Sequence, residues 1–247
     1  MRTQPTQTTF AVNSGRCSLF VTRADRVREM LHTISREVKL TAPFTGRAAL
    51  DPRVMEAMEQ VPRDAFVPPE LIDYAFDNGP LPIGEGQTIS QPYIVALMTD
   101  LLEPQPSQTI LEIGTGSGYQ AAILSQLVKQ VYSLEIIPSL ATQTAELLSR
   151  LGYDNIEVRT GDGHSGWPEH APYDGIIITA AATHLPQALI GQLKPGGRLV
   201  IPVGLPYMSQ ELLLVEKDLM GKLHTSNVLD VAFVPMTGSA YASKNSH

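Results

Sequence analysis

Thr109-Ile110-Leu111-Glu112-Ile113-Gly114-Thr115-Gly116-Ser117-Gly118-Tyr119 decides the fold when it is read with the later run Val131-Tyr132-Ser133-Leu134-Glu135. A short apolar run opens onto a glycine cluster, an Ala-rich apolar stretch follows, and a second apolar run ends in an acid. That order predicts strand, tight loop, helix and strand, the βαβ unit that binds nucleotides. Glycine at 114, 116 and 118 lets the backbone turn sharply and lets a ligand approach with no Cβ in the way, and the following helix N-terminus offers unpaired N–H groups.

Glu135 stands about 20 residues beyond the loop, where such units place an acid on a ribose diol. The spacing is G-x-G-x-G, however, and Tyr119 occupies the position where the dinucleotide fingerprint wants Gly or Ala. Glu112, just before the first glycine, is a poor neighbour for a pyrophosphate and a reasonable one for a ligand with a cationic end. The pattern therefore favours S-adenosylmethionine over NAD. A glycine-rich turn that binds nothing is the alternative, and the flanking strands and Glu135 weigh against it.

The 247 residues suffice for one α/β domain with a full core. With 25 acidic against 18 basic side chains, and no cluster of Lys and Arg, nucleic acid is not an expected partner. A lone cysteine, Cys17, excludes an internal disulfide and a thiolate metal cage. No apolar run approaches the roughly 18 to 20 residues that span a bilayer, and no signal peptide is visible, so a soluble cytoplasmic protein is expected, away from membranes.

Residues 1–22 are polar and aperiodic and read as a mobile tail, as do 239–247, leaving 23–238 as a single catalytic domain. Asp25 to Val38 shows a helical stripe, Thr41 to Gly46 reads as an irregular linker, and Asp51-Pro52 caps a second helix bearing Val54, Met55 and Met58. From Val61 to Pro92 prolines and glycines exclude regular helix or a central strand, and long irregular loops of this kind commonly serve function. The loop ends in Gln87-Thr88-Ile89-Ser90-Gln91-Pro92, where Ser90 is readable as the N-cap of a helix from Tyr93 to Leu102.

Beyond the central motif, Pro138 starts a helix with a stripe at Leu140, Ala141, Ala145, Leu148 and Leu151, ended by Gly152. Ile156 to Thr160 is a strand running into Gly161-Asp162-Gly163, at the strand ends where open α/β sheets bind ligands. Asp162 is thus a candidate for an adenine amino group, with a turn-forming Asp-Gly as the alternative. Asp174 to Thr179 is a strand buried on both faces, Leu185 to Leu193 a short helix, and Lys194-Pro195-Gly196-Gly197 a turn into a strand from Arg198 to Pro202. Glu211 to Glu216 and Val228 to Val234 follow without a helix and should pair as a hairpin. His164, His170 and His184 match no zinc spacing and read as surface histidines, so no metal site is expected.

Taken together, Val61-Pro62-Arg63, Phe66-Val67-Pro68, Gln87 to Pro92, Leu111 to Tyr119, Gly161-Asp162-Gly163, Lys194 to Gly204 and Phe233-Val234-Pro235 resemble the protein-L-isoaspartate O-methyltransferase family. The resemblance runs from about Arg26 to Gly238, and the Thr88-Ile89-Ser90-Gln91-Pro92 stretch is specific to that family. It implies a doubly wound, mostly parallel seven-stranded sheet of the Rossmann-like methyltransferase type, ending in an antiparallel hairpin and preceded by extra N-terminal helices. It also implies a repair enzyme moving a methyl group from S-adenosylmethionine to L-isoaspartyl carboxylates of damaged proteins and peptides; a monomer is expected, although the sequence itself does not give the oligomeric state. On this resemblance Ser90 is the catalytic residue, and Thr88 lines the same pocket. Thr88, Glu112, Gly114, Thr115, Gly116, Gly118, Glu135, Asp162 and Gly163 form the expected cofactor set. Alternatives are a methyltransferase of another substrate class, or a non-catalytic nucleotide-binding module.

Overall fold

A computed structural model describes residues 22–206 and 208–238. The expected tails lie outside them, apart from Thr22, as does Cys17. Thr22 starts the first helix, α1 (Arg23–Thr45), through a capping box in which Asp25 and Thr22 satisfy each other's backbone N–H. Its stripe of Val27, Met30, Ile34 and Val38 is buried, each side chain worth roughly 1.5–3 kcal/mol on the transfer scale.

The helix does not stop near Val38, and the expected linker at Thr41 to Gly46 is its last turn. Pro43 lies inside this last turn, where its missing N–H removes a ladder bond but few residues of helix remain beyond it. Thr41 anchors that turn, its hydroxyl meeting the Glu37 carbonyl at 2.9 Å and the Tyr93 hydroxyl at 2.6 Å. Gly46, with φ 67°, then ends the helix in the left-handed conformation. α2 (Pro52–Gln60) begins as expected, capped by Asp51, and buries Val54 and Met58.

The proline-rich stretch contains two 3₁₀ turns, Arg63–Phe66 and Pro69–Tyr74, and a small antiparallel ribbon of β1 (Leu81–Gly84) and β2 (Gln87–Ile89), apart from the main sheet. α3 (Pro92–Leu102) follows with all its residues buried, packed between α1, α2 and the sheet. The seven-stranded sheet runs in the order β5-β4-β3-β6-β7-β8-β9. Its strands are β3 (Thr109–Ile113), β4 (Gln130–Glu135), β5 (Ile156–Thr160), β6 (Tyr173–Ile178), β7 (Leu193–Val203), β8 (Gln210–Lys217) and β9 (Leu223–Val231). β5 through β7 are parallel, and β8 and β9 close the sheet antiparallel.

Ile110 enters the core shared with α1 to α4, and Leu111 and Ile113 enter the other, so both faces of β3 are covered. α4 (Tyr119–Ser125) and α5 (Pro138–Arg150) link the first strands, and α6 (Gln187–Gln192) with Trp167 covers the second face. In α5 the buried positions are Leu140, Ala141, Thr144 and Leu148, while Leu151 is exposed at the C-cap. Lys194-Pro195-Gly196-Gly197 is no turn before a strand. It is a bulge inside β7, since Leu193 pairs with Tyr173 and Arg198 with Gly175. β9 starts earlier than the expected Val228, because the Asp218 carboxylate accepts the Met220 and Lys222 N–H groups and closes a tight hairpin.

Candidate active site

The glycine loop between β3 and α4 is held from every side. Gly114 N and Thr115 N donate to Leu134 O, Thr179 Oγ1 donates to Gly114 O at 2.6 Å, and Thr144 Oγ1 donates to Gly116 O at 2.6 Å. Glu135, at the end of β4, accepts Gly116 N at 2.8 Å and Ile137 N at 3.0 Å on separate oxygens. A carboxylate has about four lone-pair sites, so each oxygen keeps one for a ligand.

Along this loop lies a narrow cleft of about 70 Å³, lined by Gly114, Thr115, Gly116, Glu135, Ile136, Gly161 and Gly163, among others. Gly163 has no room for a side chain, since a Cβ would lie 2.2 Å from Ile113 Cγ2. A wall of glycine backbone beside a buried acid and an apolar Ile136 fits a nucleoside with an attached cationic chain. The residues expected from sequence therefore converge, with three departures.

Glu112 and Gly118 do not line the cleft. Glu112 is wholly buried beneath the loop, accepting a hydrogen bond from Ser133, whose hydroxyl also meets Thr115 Oγ1 at 2.6 Å. Burial, and then the neighbouring Glu135, push its carboxyl up to about 8, although the Ser133 bond opposes them. Gly118 faces α5, where a Cβ would lie 2.6 Å from Thr144 Cγ2, so its role is packing. Asp162 is likewise absent from the cleft wall, and its Oδ1 accepts His164 N at 3.0 Å, closing the turn that was the alternative reading.

His164 and His170 are not ordinary surface histidines. His164 Nδ1 lies 3.1 Å from Asp162, and His170 stacks on Tyr132 at 3.9 Å between ring centres; both are half-buried, while His184 is exposed. Among the described residues no group of three or more His, Cys, Asp or Glu could hold a metal.

A second, wider cleft of about 990 Å³ adjoins the first, and Thr88, Ser90, Thr179, Val234 and Pro235 line both. Ser90 is therefore on the shared wall. It is not the N-cap of α3: that position is Gln91, which makes no side-chain capping bond, and Asn78 Oδ1 accepts Tyr93 N at 3.2 Å instead. A distant side chain does the capping, and among the described residues the Ser90 hydroxyl has no hydrogen-bond partner.

Sequence reading assigned no role to Thr179, just after β6, or to the Val234 to Thr237 segment, which lines the narrow cleft, with Val234 and Pro235 on the wide one too, and is held to Ala181 by Ala181 N to Val234 O and Met236 N to Ala181 O. The available signals were the strand-end position of Thr179 and the Phe233-Val234-Pro235 motif.

The chain matches the family described as Protein-L-isoaspartate(D-aspartate) O-methyltransferase over residues 45–241. It is 60% identical to Protein-L-isoaspartate O-methyltransferase 2 of Syntrophobacter fumaroxidans, covering 87% of this chain and 86% of that one. It is 56% identical to Protein-L-isoaspartate O-methyltransferase 1 of Cupriavidus necator, covering 87% and 82%. Among solved structures, a protein-L-isoaspartate O-methyltransferase superposes with a TM-score of 0.75 at 26% identity, covering 86% of this chain and 66% of that one. A Plasmodium falciparum structure solved in complex with S-adenosyl-L-homocysteine shares the fold, with a TM-score of 0.69 at 23% identity, covering 85% and 97%. With its glycine-walled cleft and a match over most of its length, the chain belongs to the protein-L-isoaspartate(D-aspartate) O-methyltransferase family and is an S-adenosylmethionine-dependent methyltransferase.

Proposed function

We propose that the two adjoining clefts divide the work of methylating L-isoaspartyl carboxylates in damaged proteins and peptides, and that Ser90, on their shared wall, holds the acceptor. The narrow cleft takes the cofactor: Gly114, Thr115 and Gly116 pass along it, Glu135 offers its remaining lone pairs to ribose hydroxyls, and Ile136, Gly161 and Gly163 flank the base. When bound, S-adenosylmethionine supplies a methyl group already activated on a sulfonium. An isoaspartyl carboxylate has a reference pKa near 4, so it is ionised at neutral pH and no general base is required. That agrees with a site that has a hydroxyl and backbone groups where a hydrolase has a histidine.

What the protein must supply is position, with reacting atoms roughly 3–3.5 Å apart and water kept out. Ser90 donates to the carboxylate oxygen that is not methylated, and Thr88 borders the same opening. The wide cleft, bordered by Glu37 and Thr41 of α1 and by the end of β9, accepts extended polypeptide around the damaged residue.

The single observation that carries this reading is the Ser90 hydroxyl at the junction, without a hydrogen-bond partner among the described residues and relieved of capping by Asn78. Ser90→Ala removes one hydrogen bond to a charged group, worth about 1.5–3 kcal/mol, so methyl transfer should fall roughly 10- to 100-fold. Single-turnover rates on an isoaspartyl peptide at saturating cofactor decide it, with cofactor affinity near wild type; an unchanged rate would return Ser90 to a passive wall. The same reading treats 23–238 as one catalytic domain of a cytoplasmic monomer that engages neither nucleic acid nor membrane. One cooperative unfolding transition and a monomeric sedimentation value are its checks.

A further inference from the structure

Arg63 has no exposed surface, yet among the described residues its guanidinium bonds only neutral groups. Nε donates to Ala75 O at 2.7 Å, Nη2 donates to Ser90 O at 2.7 Å, and the guanidinium carbon lies 4.7 Å from the centre of the Tyr119 ring. Among the described residues Nη1 has no hydrogen-bond partner. Burying a cation with neutral partners and one orphaned donor is costly, and an apolar side chain of similar volume would serve packing better. The charge must therefore be judged by what it holds.

Its two bonds pin both ends of one segment. Ala75 stands where the second 3₁₀ turn ends, and Ser90 where the β1–β2 ribbon runs into α3. Tyr119 is the first residue of α4, directly after the glycine loop, and it lines the cofactor cleft. A single planar side chain thus ties the acceptor loop, at both of its ends, to the element that carries the cofactor loop. Arginine suits this because its fork offers two donors in fixed relative directions, which an ammonium cannot reproduce.

We propose that Arg63 is a positioning residue for methyl transfer: by gripping the Ser90 carbonyl it fixes the main chain so that the Ser90 hydroxyl faces the junction of the two clefts. The inference rests on Ser90 being the acceptor-holding group.

The test uses Arg63→Met, which keeps volume without donors, and Arg63→Lys, which keeps charge with one reachable carbonyl, each in wild-type and Ser90→Ala backgrounds. Single-turnover rates and KM on an isoaspartyl peptide, cofactor Kd by calorimetry and melting temperatures are measured for each. In the Ser90 background, Arg63→Met should slow transfer by about tenfold or more with cofactor Kd within about threefold of wild type, and Arg63→Lys should recover part of the rate. With Ser90→Ala already present, the same changes should cost less than about twofold, because the group being positioned is gone.

Equal losses in both backgrounds would reduce Arg63 to core packing and overturn the proposal, as would a wild-type rate for a folded Arg63→Met. Loss of the melting transition in both Arg63 variants would overturn it too, assigning the residue to folding alone. A wild-type rate for Ser90→Ala by itself would mark a different failure, that of the Ser90 reading beneath it.

Discussion

Replacing Glu112 by glutamine isolates a buried proton. The carboxyl lies on β3 with no exposed surface; Ser133 donates to Oε2, and among the described residues Oε1 has no hydrogen-bond partner. Burial and the nearby Glu135 raise its pKa from an ordinary 4.5 to about 8. At neutral pH the folded protein therefore holds a proton there that the unfolded chain has released. The stabilisation this group contributes is fully present below 4.5 and is lost as pH rises through about 8. Within that window the slope approaches ~1.4 kcal/mol per pH unit, several kcal/mol in total against a typical stability of about 5–15 kcal/mol.

Glutamine keeps the shape and cannot titrate. It also buries an amide that lacks a full set of partners, which should cost about 1–3 kcal/mol at low pH. The informative quantity is therefore the difference between wild type and Glu112→Gln in urea unfolding, followed from pH 5 to 8.5. Groups that titrate identically in both proteins cancel in that difference. The wild-type advantage should shrink steadily as pH rises and level off above about 8. A flat difference, or one that grows with pH, would refute the buried neutral carboxyl.

Three further outcomes follow from the same geometry. Glu135→Ala strips the acceptors from Gly116 N and Ile137 N, so calorimetry should show weaker cofactor binding and urea unfolding a loss of about 1.5–3 kcal/mol or more; loss of affinity alone would mean the loop stands without it. Gly163→Ala drives a methyl group against Ile113 and Met236 and should cost roughly 1–3 kcal/mol, an unchanged melting temperature counting against the close packing. Asp162→Asn preserves the acceptor for His164 N, so stability should hold while cofactor affinity drops if the carboxylate also meets the adenine amine. Equal affinity would count against the adenine contact.

The sheet was legible because its signals are local. Thr109 to Ile113 and Tyr173 to Ile178 are short apolar runs bounded by turn residues, and parallel strands buried on both faces can look no other way. Element ends were less legible where a tertiary contact overrides a local rule. Pro43 should stop a helix, but Thr41 is bonded to Tyr93 of α3, and the turn persists. Gly196-Gly197 should open a turn, yet β6 continues past it and captures Leu193 on the far side, so the glycines become a bulge.

In the site, backbone requirements were readable and side-chain targets were not. Gly114, Gly116 and Gly163 reach the cleft because only glycine fits there, a demand that leaves its mark on composition. Glu112 looked like a ligand for a cation because an acid beside a glycine loop implies one, but period-2 alternation on β3 sends it to the face opposite Leu111 and Ile113. Ser90 shows the limit most sharply. Ser before Gln-Pro satisfies the local grammar of an N-cap, and only the three-dimensional arrival of Asn78 takes that duty away. A hydroxyl released from capping, on the wall shared by two clefts and with its own carbonyl gripped by a buried guanidinium, is a placement that helix-capping rules do not disclose.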